Sequence, residues 1–192
     1  MTDVILFHHA QGLTDGVGRF AERLEAAGHR VTLPDLYEGA SFDTLTDGVD
    51  HAAQVGFETL IERGRLAAEK MAPEIVYAGF SLGVLPAQML AQTRRGAKGA
   101  LLVSACIEPA EFGCPWPSGV PLQIHAMESD ELLVADGDLD VARELDETIE
   151  SAQLFLYPGN RHLFVDSSLA DYDEGVASLL TERVLAFLDR IE

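Results

Sequence analysis

The chain has 192 residues, of which 47% are hydrophobic and 23% are charged, and this size and balance predict a single globular domain over residues 1–192. Its 32 acidic and 13 basic side chains give a net charge of −19. A surface this negative repels phosphate backbones and anionic lipids, which argues against nucleic-acid and membrane partners.

The first residues predict a cytoplasmic protein. Residues 1–3 lead directly into a short apolar run, without the basic region and the longer apolar stretch of a signal peptide. No apolar run approaches the ~18 residues of a transmembrane helix. In such a compartment the two cysteines, Cys106 and Cys114, are expected to be reduced. The sequence leaves the oligomeric state open, a homo-oligomer included.

Short apolar runs alternate with amphipathic segments along the chain. In chain order they predict strand 4–7, helix 16–27, strand 31–33, helix 47–71, strand 75–78, helix 84–93, strand 100–103, strand 122–126, helix 139–149, strand 154–157 and helix 173–191. This alternation is typical of an α/β fold, with a mainly parallel central sheet and helices on both faces.

A serine flanked by glycines lies between the third predicted strand and the helix that follows it. Gly79, Ser81 and Gly83 have the spacing of a nucleophile elbow, in which a sharp strand-to-helix turn carries the nucleophile and leaves no room for larger flanking residues. The same pattern also fits a tight turn whose serine merely caps the helix. Partners elsewhere in the sequence must therefore decide between the two.

Two further residues complete a hydrolase-like series. In a parallel sheet, catalytic groups gather at the C-terminal ends of the strands. Asp130 follows strand 122–126 and His162 follows strand 154–157. The order Ser81, Asp130, His162 is the nucleophile, acid and base order of the α/β-hydrolases.

These residue types suit acyl transfer. A serine hydroxyl needs a neutral imidazole to accept its proton, and a carboxylate orients that imidazole and stabilises its charged form. Glu128 and Asp136 lie near Asp130 in the sequence, and either could supply the carboxylate instead. His162 also has a simpler interpretation as a solvated loop histidine.

Backbone N–H groups are expected to bind the oxyanion of the tetrahedral intermediate. One is that of Leu82 at the helix N-terminus, where the helix dipole favours negative charge. The second should come from the loop after the first strand, from Ala10 or Gln11, and the sequence does not choose between them. That loop also contains the adjacent pair His8 and His9, but no acidic or cysteine ligand pattern accompanies it, so no metal is expected.

Loops at the same edge of the sheet are expected to line a substrate pocket. The residues in question are His9, Tyr37, Glu38, Phe42, Trp116 and Asp166. For Trp116 the alternative is that it only packs its own proline-rich loop. For Asp166 the alternative is a local capping role.

Four segments resemble those of one known family. They are residues 6–12, 26–37, 79–83 and 157–164. On these segments the chain resembles the dienelactone hydrolase family of the α/β-hydrolases over nearly its whole length. The resemblance implies an eight-stranded fold reduced in size, and hydrolysis of an ester or lactone through an acyl-enzyme without a cofactor. It places the catalytic triad on Ser81, Asp130 and His162.

The chain also departs from that family at the site. The best-known members have a cysteine at the elbow, where this chain has Ser81. They have a glutamate in the first-strand loop, where His9 precedes Ala10, and an arginine shortly after the catalytic histidine, where this chain offers Asp166. An acidic pocket wall disfavours the anionic lactone that gives the family its name.

Two functions from different classes follow. The first is a serine hydrolase acting on a small neutral or moderately apolar ester, lactone or thioester. The alternative is a catalytically silent α/β-hydrolase scaffold that binds a small molecule or a partner protein. The distance from Ser81 to His162, and the presence of a carboxylate on His162, discriminate between them.

Overall fold

The computed structural model describes residues 1–191 of the chain and contains one parallel sheet. Its six strands are β1 (Asp3–Phe7), β2 (Arg30–Thr32), β3 (Val76–Phe80), β4 (Gly99–Val103), β5 (Leu122–Met127) and β6 (Ala152–Tyr157). They lie in the order β2-β1-β3-β4-β5-β6, and every neighbouring pair is parallel. The α/β class with a mainly parallel sheet is thereby confirmed, with six strands rather than eight.

Among residues 1–191, seven helices connect or follow these strands. They are α1 (Asp15–Ala26), α2 (Leu45–Val55), α3 (Phe57–Glu69), α4 (Val84–Thr93), α5 (Glu131–Ala135), α6 (Asp138–Thr148) and α7 (Glu174–Arg190). Single 3-10 turns occur at Ser81–Gly83 and Pro109–Phe112. No helix among residues 1–191 is long and apolar enough to cross a membrane.

The core has two layers because successive residues of a strand point to opposite faces of the sheet. In β1, Val4 and Leu6 pack with α1 and α7, whereas Ile5 and Phe7 pack with α2, α3, α4 and α6. All four side chains are fully buried. Coverage on both faces explains why the strands read as nearly continuous apolar runs.

The predicted helix 47–71 is wrong as a single element. The structure breaks it at Gly56, whose φ of 92° lies in a region that side chains other than glycine rarely adopt. The Gly56 N–H bonds to Ala52 O and closes α2, and α3 begins at the next residue. Apolar periodicity continues across this break, so the sequence pattern did not reveal it.

Candidate active site

The Ser81 turn has the strained geometry expected of an elbow. Ser81 directly follows β3, and its φ of 48° is rare for a residue other than glycine. A Cβ on Gly79 would lie 2.2 Å from Gly83 O, and a Cβ on Gly83 would lie 2.3 Å from Phe7 O. Both glycines are therefore needed for close backbone approach, which packs the turn against the end of β1.

Ser81, His162 and Asp130 lie within hydrogen-bonding distance in series. Ser81 Oγ is 2.7 Å from His162 Nε2, and His162 Nδ1 is 2.7 Å from Asp130 Oδ2. Asp130 is 1% exposed, and its Oδ1 accepts the Leu132 N–H at 3.1 Å as the N-cap of α5. One carboxylate oxygen is thus fixed by a helix N-terminus, and the other faces the imidazole.

The two competing acids lie elsewhere. Glu128 and Asp136 are both exposed, and Asp136 is the C-terminal cap of α5. The sequence did not predict this five-residue helix, although Asp130 followed by an apolar run is a recognisable N-cap signal. The helix favours Asp130 because it fixes that side chain at the buried end of the strand.

Ser104 was missed by the sequence analysis. It directly follows β4, is 3% exposed and has a φ of 59°. Its hydroxyl donates to the carbonyl oxygen of His162 at 2.6 Å, which fixes the loop that carries the histidine. The signal that could have identified it is similar to the one used for Asp130 and His162, namely a polar residue shortly after an apolar strand.

The loop after β1 lies beside the elbow. A Cβ on Gly83 would lie 2.7 Å from His8 O, which shows how closely the two segments approach. Gln11 is hydrogen-bonded to the segment around Phe42. Its carbonyl oxygen accepts the Phe42 N–H at 3.0 Å, and its Nε2 donates to Phe42 O at 3.0 Å. Among residues 1–191, the Ala10 N–H has no protein acceptor.

Both adjacent histidines are buried, and their ring nitrogens contact protein groups. His8 Nε2 accepts the Leu36 N–H at 3.0 Å, so its Nδ1–H donates to His9 O at 2.8 Å. Burial lowers the pKa of His8 to about 4, so the ring is neutral and Asp35, 3.7 Å away, is not its ion-pair partner. Within residues 1–191, no group of three or more His, Cys, Asp or Glu side chains is arranged to hold a metal ion.

His9 and Asp166 form a second buried pair close to His162. His9 Nε2 lies 2.7 Å from Asp166 Oδ2, and the two side chains are each 1% exposed. Together with Ser104 and His162 they line a cavity of about 10 Å³, roughly the room for one water. Because both side chains are buried, neither forms the wall of an open pocket. They lie on the inner side of the loop that carries His162.

The Asp166 carboxylate is strongly stabilised in its charged form. Burial alone would raise its pKa, but hydrogen bonds from His9, Ser168 and Thr14 outweigh burial and lower the pKa to about 2. A negative charge therefore lies behind His162 at neutral pH. Arg161, the nearest cation in sequence, donates to Tyr172 O at 2.7 Å and lies 3.7 Å from Asp173.

Glu38 and Trp116 do not line the small cavity beside His162 but line two other grooves. Glu38 pairs with Arg63 of α3 at 2.8 Å and lines a groove of about 460 Å³. Trp116 lines a separate groove of about 580 Å³ beside α6 and donates from Nε1 to Val120 O at 2.8 Å. Trp116 lies in this groove because its loop must return from the C-terminal end of β4 to the N-terminal end of β5, away from the edge that carries Ser81.

Tyr37 and Phe42 pack together near the β1 loop. The Tyr37 ring is buried, its hydroxyl donates to Gly48 O at 3.2 Å, and its centroid lies 6.0 Å from that of Phe42. Phe42 remains half-buried and contacts His51 at a centroid distance of 4.8 Å. Of the two, Phe42 is therefore the one that retains surface beside the Gln11 backbone.

The comparisons with known proteins identify the family. The model of the dienelactone hydrolase family matches residues 1–192. None of the curated proteins matches the chain.

Solved structures share the fold at low sequence identity. A Klebsiella pneumoniae protein assigned as a dienelactone hydrolase has a TM-score of 0.77 and 17% identity, with 98% of this chain and 87% of that chain covered. A dienelactone hydrolase-like promiscuous phosphotriesterase from metagenomic libraries has a TM-score of 0.73 and 18% identity, with 100% and 87% covered. A dienelactone hydrolase from Anabaena variabilis has a TM-score of 0.69 and 18% identity, with 96% of this chain and 84% of that chain covered. From the full-length family match, the chain belongs to the dienelactone hydrolase family and is a hydrolase that acts on ester bonds.

Proposed function

We propose that the protein is a serine hydrolase that cleaves a small neutral ester or lactone through an acyl-enzyme. In this proposal Ser81 is the nucleophile, His162 is the general base and acid, and Asp130 orients the imidazole. The observation that carries it is the pair of 2.7 Å distances from Ser81 Oγ to His162 Nε2 and from His162 Nδ1 to Asp130. A nucleophile, a base and an orienting group in series are what acyl transfer requires.

The first half-reaction forms the acyl-enzyme. Ser81 Oγ attacks the ester carbonyl carbon while its proton moves to His162 Nε2. The tetrahedral intermediate collapses when the bond to the leaving alkoxide oxygen breaks, and the imidazolium gives its proton to that oxygen. Asp130 Oδ2 lies 2.7 Å from His162 Nδ1 and stabilises the imidazolium, while the Asp130 side chain also caps the N-terminus of α5.

The second half-reaction releases the acid. A water attacks the acyl carbon and passes its proton to His162 Nε2, and the bond from the acyl carbon to Ser81 Oγ then breaks as that oxygen regains a proton. No metal or cofactor takes part in this scheme. Because the attacking atom is oxygen, ordinary serine esterase chemistry is expected rather than that of the cysteine members.

Two backbone N–H groups are proposed as the oxyanion hole. Leu82 lies in the first turn after the nucleophile, where N–H groups have no partner within the helix. From the β1 loop we assign Ala10 rather than Gln11, because the Gln11 N–H already donates to His9 Nδ1 at 3.2 Å. The choice that the sequence left open is therefore proposed from the hydrogen bonds of this loop.

The charges around the site support a neutral substrate. The ionised Asp166 lies behind His162, and Arg161 is engaged by Tyr172 and Asp173. The protein as a whole has a net charge of −19. An anionic substrate would approach against this field, which lowers its encounter rate and its affinity.

A fluorophosphonate probe tests the nucleophile. We expect the wild type to be labelled at Ser81, and Ser81→Ala to abolish labelling while its thermal midpoint stays near that of the wild type. Ser118→Ala is a matched control, because this serine is exposed in the loop between β4 and β5, and it should leave labelling unchanged. Absence of labelling in the wild type would favour the catalytically silent scaffold.

A matched pair of esters tests the substrate class. p-Nitrophenyl butyrate and the p-nitrophenyl monoester of succinate have acyl groups of similar size, but only the second carries a carboxylate. We expect kcat/KM to be about tenfold or more higher for the neutral ester at low ionic strength, with the difference shrinking as salt is added. A preference for the anionic ester would contradict the neutral-substrate proposal and leave the serine mechanism intact.

A further inference from the structure

The adjacent histidines after β1 are held in opposite tautomers by the surrounding protein. His8 carries its proton on Nδ1, because its Nε2 accepts the Leu36 N–H. His9 carries its proton on Nε2, because its Nδ1 accepts the Gln11 N–H at 3.2 Å. These tautomers are assigned from the hydrogen-bond network, in which a backbone N–H can only donate.

Asp166 fixes the His9 proton on Nε2. Its Oδ2 accepts from His9 Nε2 at 2.7 Å and from the Thr14 hydroxyl, and its Oδ1 accepts the Ser168 N–H at 2.8 Å and the Ser168 hydroxyl at 2.5 Å. A Cβ on Gly16 would lie 1.6 Å from Oδ1, so the start of α1 closes over the carboxylate. An ionised carboxylate with four donors around it has no proton to offer His9, which must therefore donate to it.

Within residues 10–12 of the β1 loop, two backbone N–H groups have protein acceptors and one does not. The Gln11 N–H is bound to His9 Nδ1, and the Gly12 N–H is bound to His9 O at 3.0 Å. A side chain that accepts from the N–H two residues ahead forms the same ring as an Asx turn, which fixes the backbone between the two residues. Ala10 is the residue between them, and among residues 10–12 its N–H alone has no protein acceptor.

We infer that His9 and Asp166 are positioning residues for the oxyanion hole, in which Asp166 sets the His9 tautomer and His9 holds the Gln11 N–H so that the Ala10 N–H faces the substrate. This inference rests on the proposed serine-hydrolase function and adds to it the group that prepares the second oxyanion donor. The Ser81 hydroxyl bonds to His162 and not to His9 or Asp166. His9 and Asp166 act through the backbone of residues 9–11.

Asp166→Asn tests the tautomer directly. The amide must keep its oxygen toward the Ser168 backbone N–H, because that group cannot become an acceptor. Its NH2 group then faces His9 Nε2, and the ring can accept this hydrogen bond only by moving its proton to Nδ1. The Nδ1–H would oppose the Gln11 N–H and release it, so the Ala10 peptide would lose its fixed orientation.

The expected result has a spectroscopic part and a kinetic part. Ring ¹⁵N shifts of histidine-labelled protein should show His9 protonated on Nε2 in the wild type and on Nδ1 in Asp166→Asn. For a p-nitrophenyl ester, kcat should fall by about ten- to a hundredfold with little change in KM, below the ~10²–10³ that removal of an oxyanion donor costs. Asp146→Asn is the matched control, because this exposed carboxylate also accepts a backbone N–H, that of Leu154 at 2.8 Å.

A thionoester separates the oxyanion hole from the base. Sulfur fits the hole poorly, so the wild type should prefer the ester over the thionoester, and Asp166→Asn should lose part of that preference. Displacement of His162 alone would slow both substrates equally and would overturn the inference. A wild-type His9 that is protonated on Nδ1 would overturn it as well, and that measurement needs no variant.

Two substitutions of His9 keep the inference testable if Asp166→Asn fails to fold. His9→Asn retains an acceptor that can form an Asx turn with the Gln11 N–H, whereas His9→Gln retains the reach to Asp166 but lacks that acceptor. We expect the kcat of His9→Asn to exceed that of His9→Gln by several-fold. The reverse order would mean that His9 only satisfies Asp166. If wild-type Ser81 is not labelled by fluorophosphonate, the proposed function has failed instead, whatever the His9 tautomer.

Discussion

Residues 1–191 contain two histidine–aspartate pairs with the same short distance, and these pairs differ in the ring nitrogen that meets the aspartate and in their surroundings. His162 and His9 each lie 2.7 Å from a carboxylate, of Asp130 and Asp166 respectively, and each carboxylate side chain is at most 2% exposed. The pairs differ in the second ring nitrogen. That of His162 faces the Ser81 hydroxyl, and that of His9 accepts the Gln11 N–H.

This difference teaches what a histidine–carboxylate pair needs before it can move a proton. The His162 side chain is 11% exposed and its free nitrogen faces a hydroxyl that can lose its proton, whereas the His9 side chain is 1% exposed and faces an amide that cannot. A short distance to an aspartate therefore does not identify a base. The partner of the other nitrogen does.

The largest expected effect comes from removing the base. His162→Ala should reduce the turnover of an activated ester by about 10⁴-fold or more, because it removes the group that lies 2.7 Å from the Ser81 hydroxyl and accepts its proton. Ser81→Ala should give a similar loss, and the double variant should lose little more than either single variant, since the two residues act as a unit. Steady-state hydrolysis of a p-nitrophenyl ester measures all three.

His9→Ala is the matched substitution in the other histidine–aspartate pair, and it tests whether the large loss is specific to His162. It removes an imidazole that also lies 2.7 Å from a buried aspartate, yet it leaves the path of the proton intact. We expect its loss in kcat to remain at least tenfold smaller than that of His162→Ala. Equal losses would show that the two pairs cannot be distinguished by the partner of the second nitrogen.

The matched Asp→Asn substitutions sharpen the comparison at the carboxylates. Asp130→Asn should reduce kcat by about 10⁴-fold, because an amide beside His162 Nδ1 favours the wrong tautomer at the base. Asp166→Asn makes the same chemical change at the other pair and should cost only about ten- to a hundredfold. A ratio near one between the two variants, measured on the same ester, would contradict the assignment of Asp130 as the orienting acid.

The sequence predicted the pair that faces the serine. Asp130 and His162 each come shortly after an apolar strand, and parallel strands bring their C-terminal ends to one edge, so chain order and strand ends favoured them, with Glu128 and Asp136 left open as alternatives to Asp130. The alternating pattern also predicted the sheet and its two covered faces. Ser104 also follows a strand, β4, but it is neither an acid nor a histidine and acts by donating its hydroxyl to His162 O.

The second pair could not be predicted, because its chemistry depends on hydrogen bonds rather than on residue order. His9 and Asp166 are 157 residues apart, and nothing in the sequence shows that Gln11 donates to His9. The path of the Trp116 loop and the break at Gly56 were missed for a related reason. Backbone direction in a loop or at a positive φ is set by local contacts that apolar periodicity does not encode.

The stability of the protein in acid should report on Asp166. Its folded-state pKa of about 2 lies below the usual 3.8, so the unfolded chain binds this proton first. The resulting stabilisation is complete above about pH 4 and is lost as the pH falls through about 2.

Asp166→Asn lacks this contribution. Urea unfolding at successive pH values below 5 should therefore show a wild-type free energy of unfolding that falls more steeply than that of the variant. The gap between them should close by on the order of 2 kcal/mol. Asp146→Asn should follow the wild-type curve, and a constant gap for Asp166→Asn would mean that the pKa of Asp166 is not lowered by folding.

The smallest effects are expected at the two residues that the structure places away from the serine. Glu38→Gln breaks the ion pair with Arg63, and Trp116→Phe removes the hydrogen bond to Val120 O. Neither interaction involves Ser81, His162 or Asp130. We expect kcat/KM for a neutral p-nitrophenyl ester to stay within about twofold of the wild type in both, because neither side chain lines the cavity beside His162. A tenfold rise in KM for Trp116→Phe would instead mean that its loop closes over the substrate. The aromatic side chain would then belong to the pocket, as the sequence alone suggested.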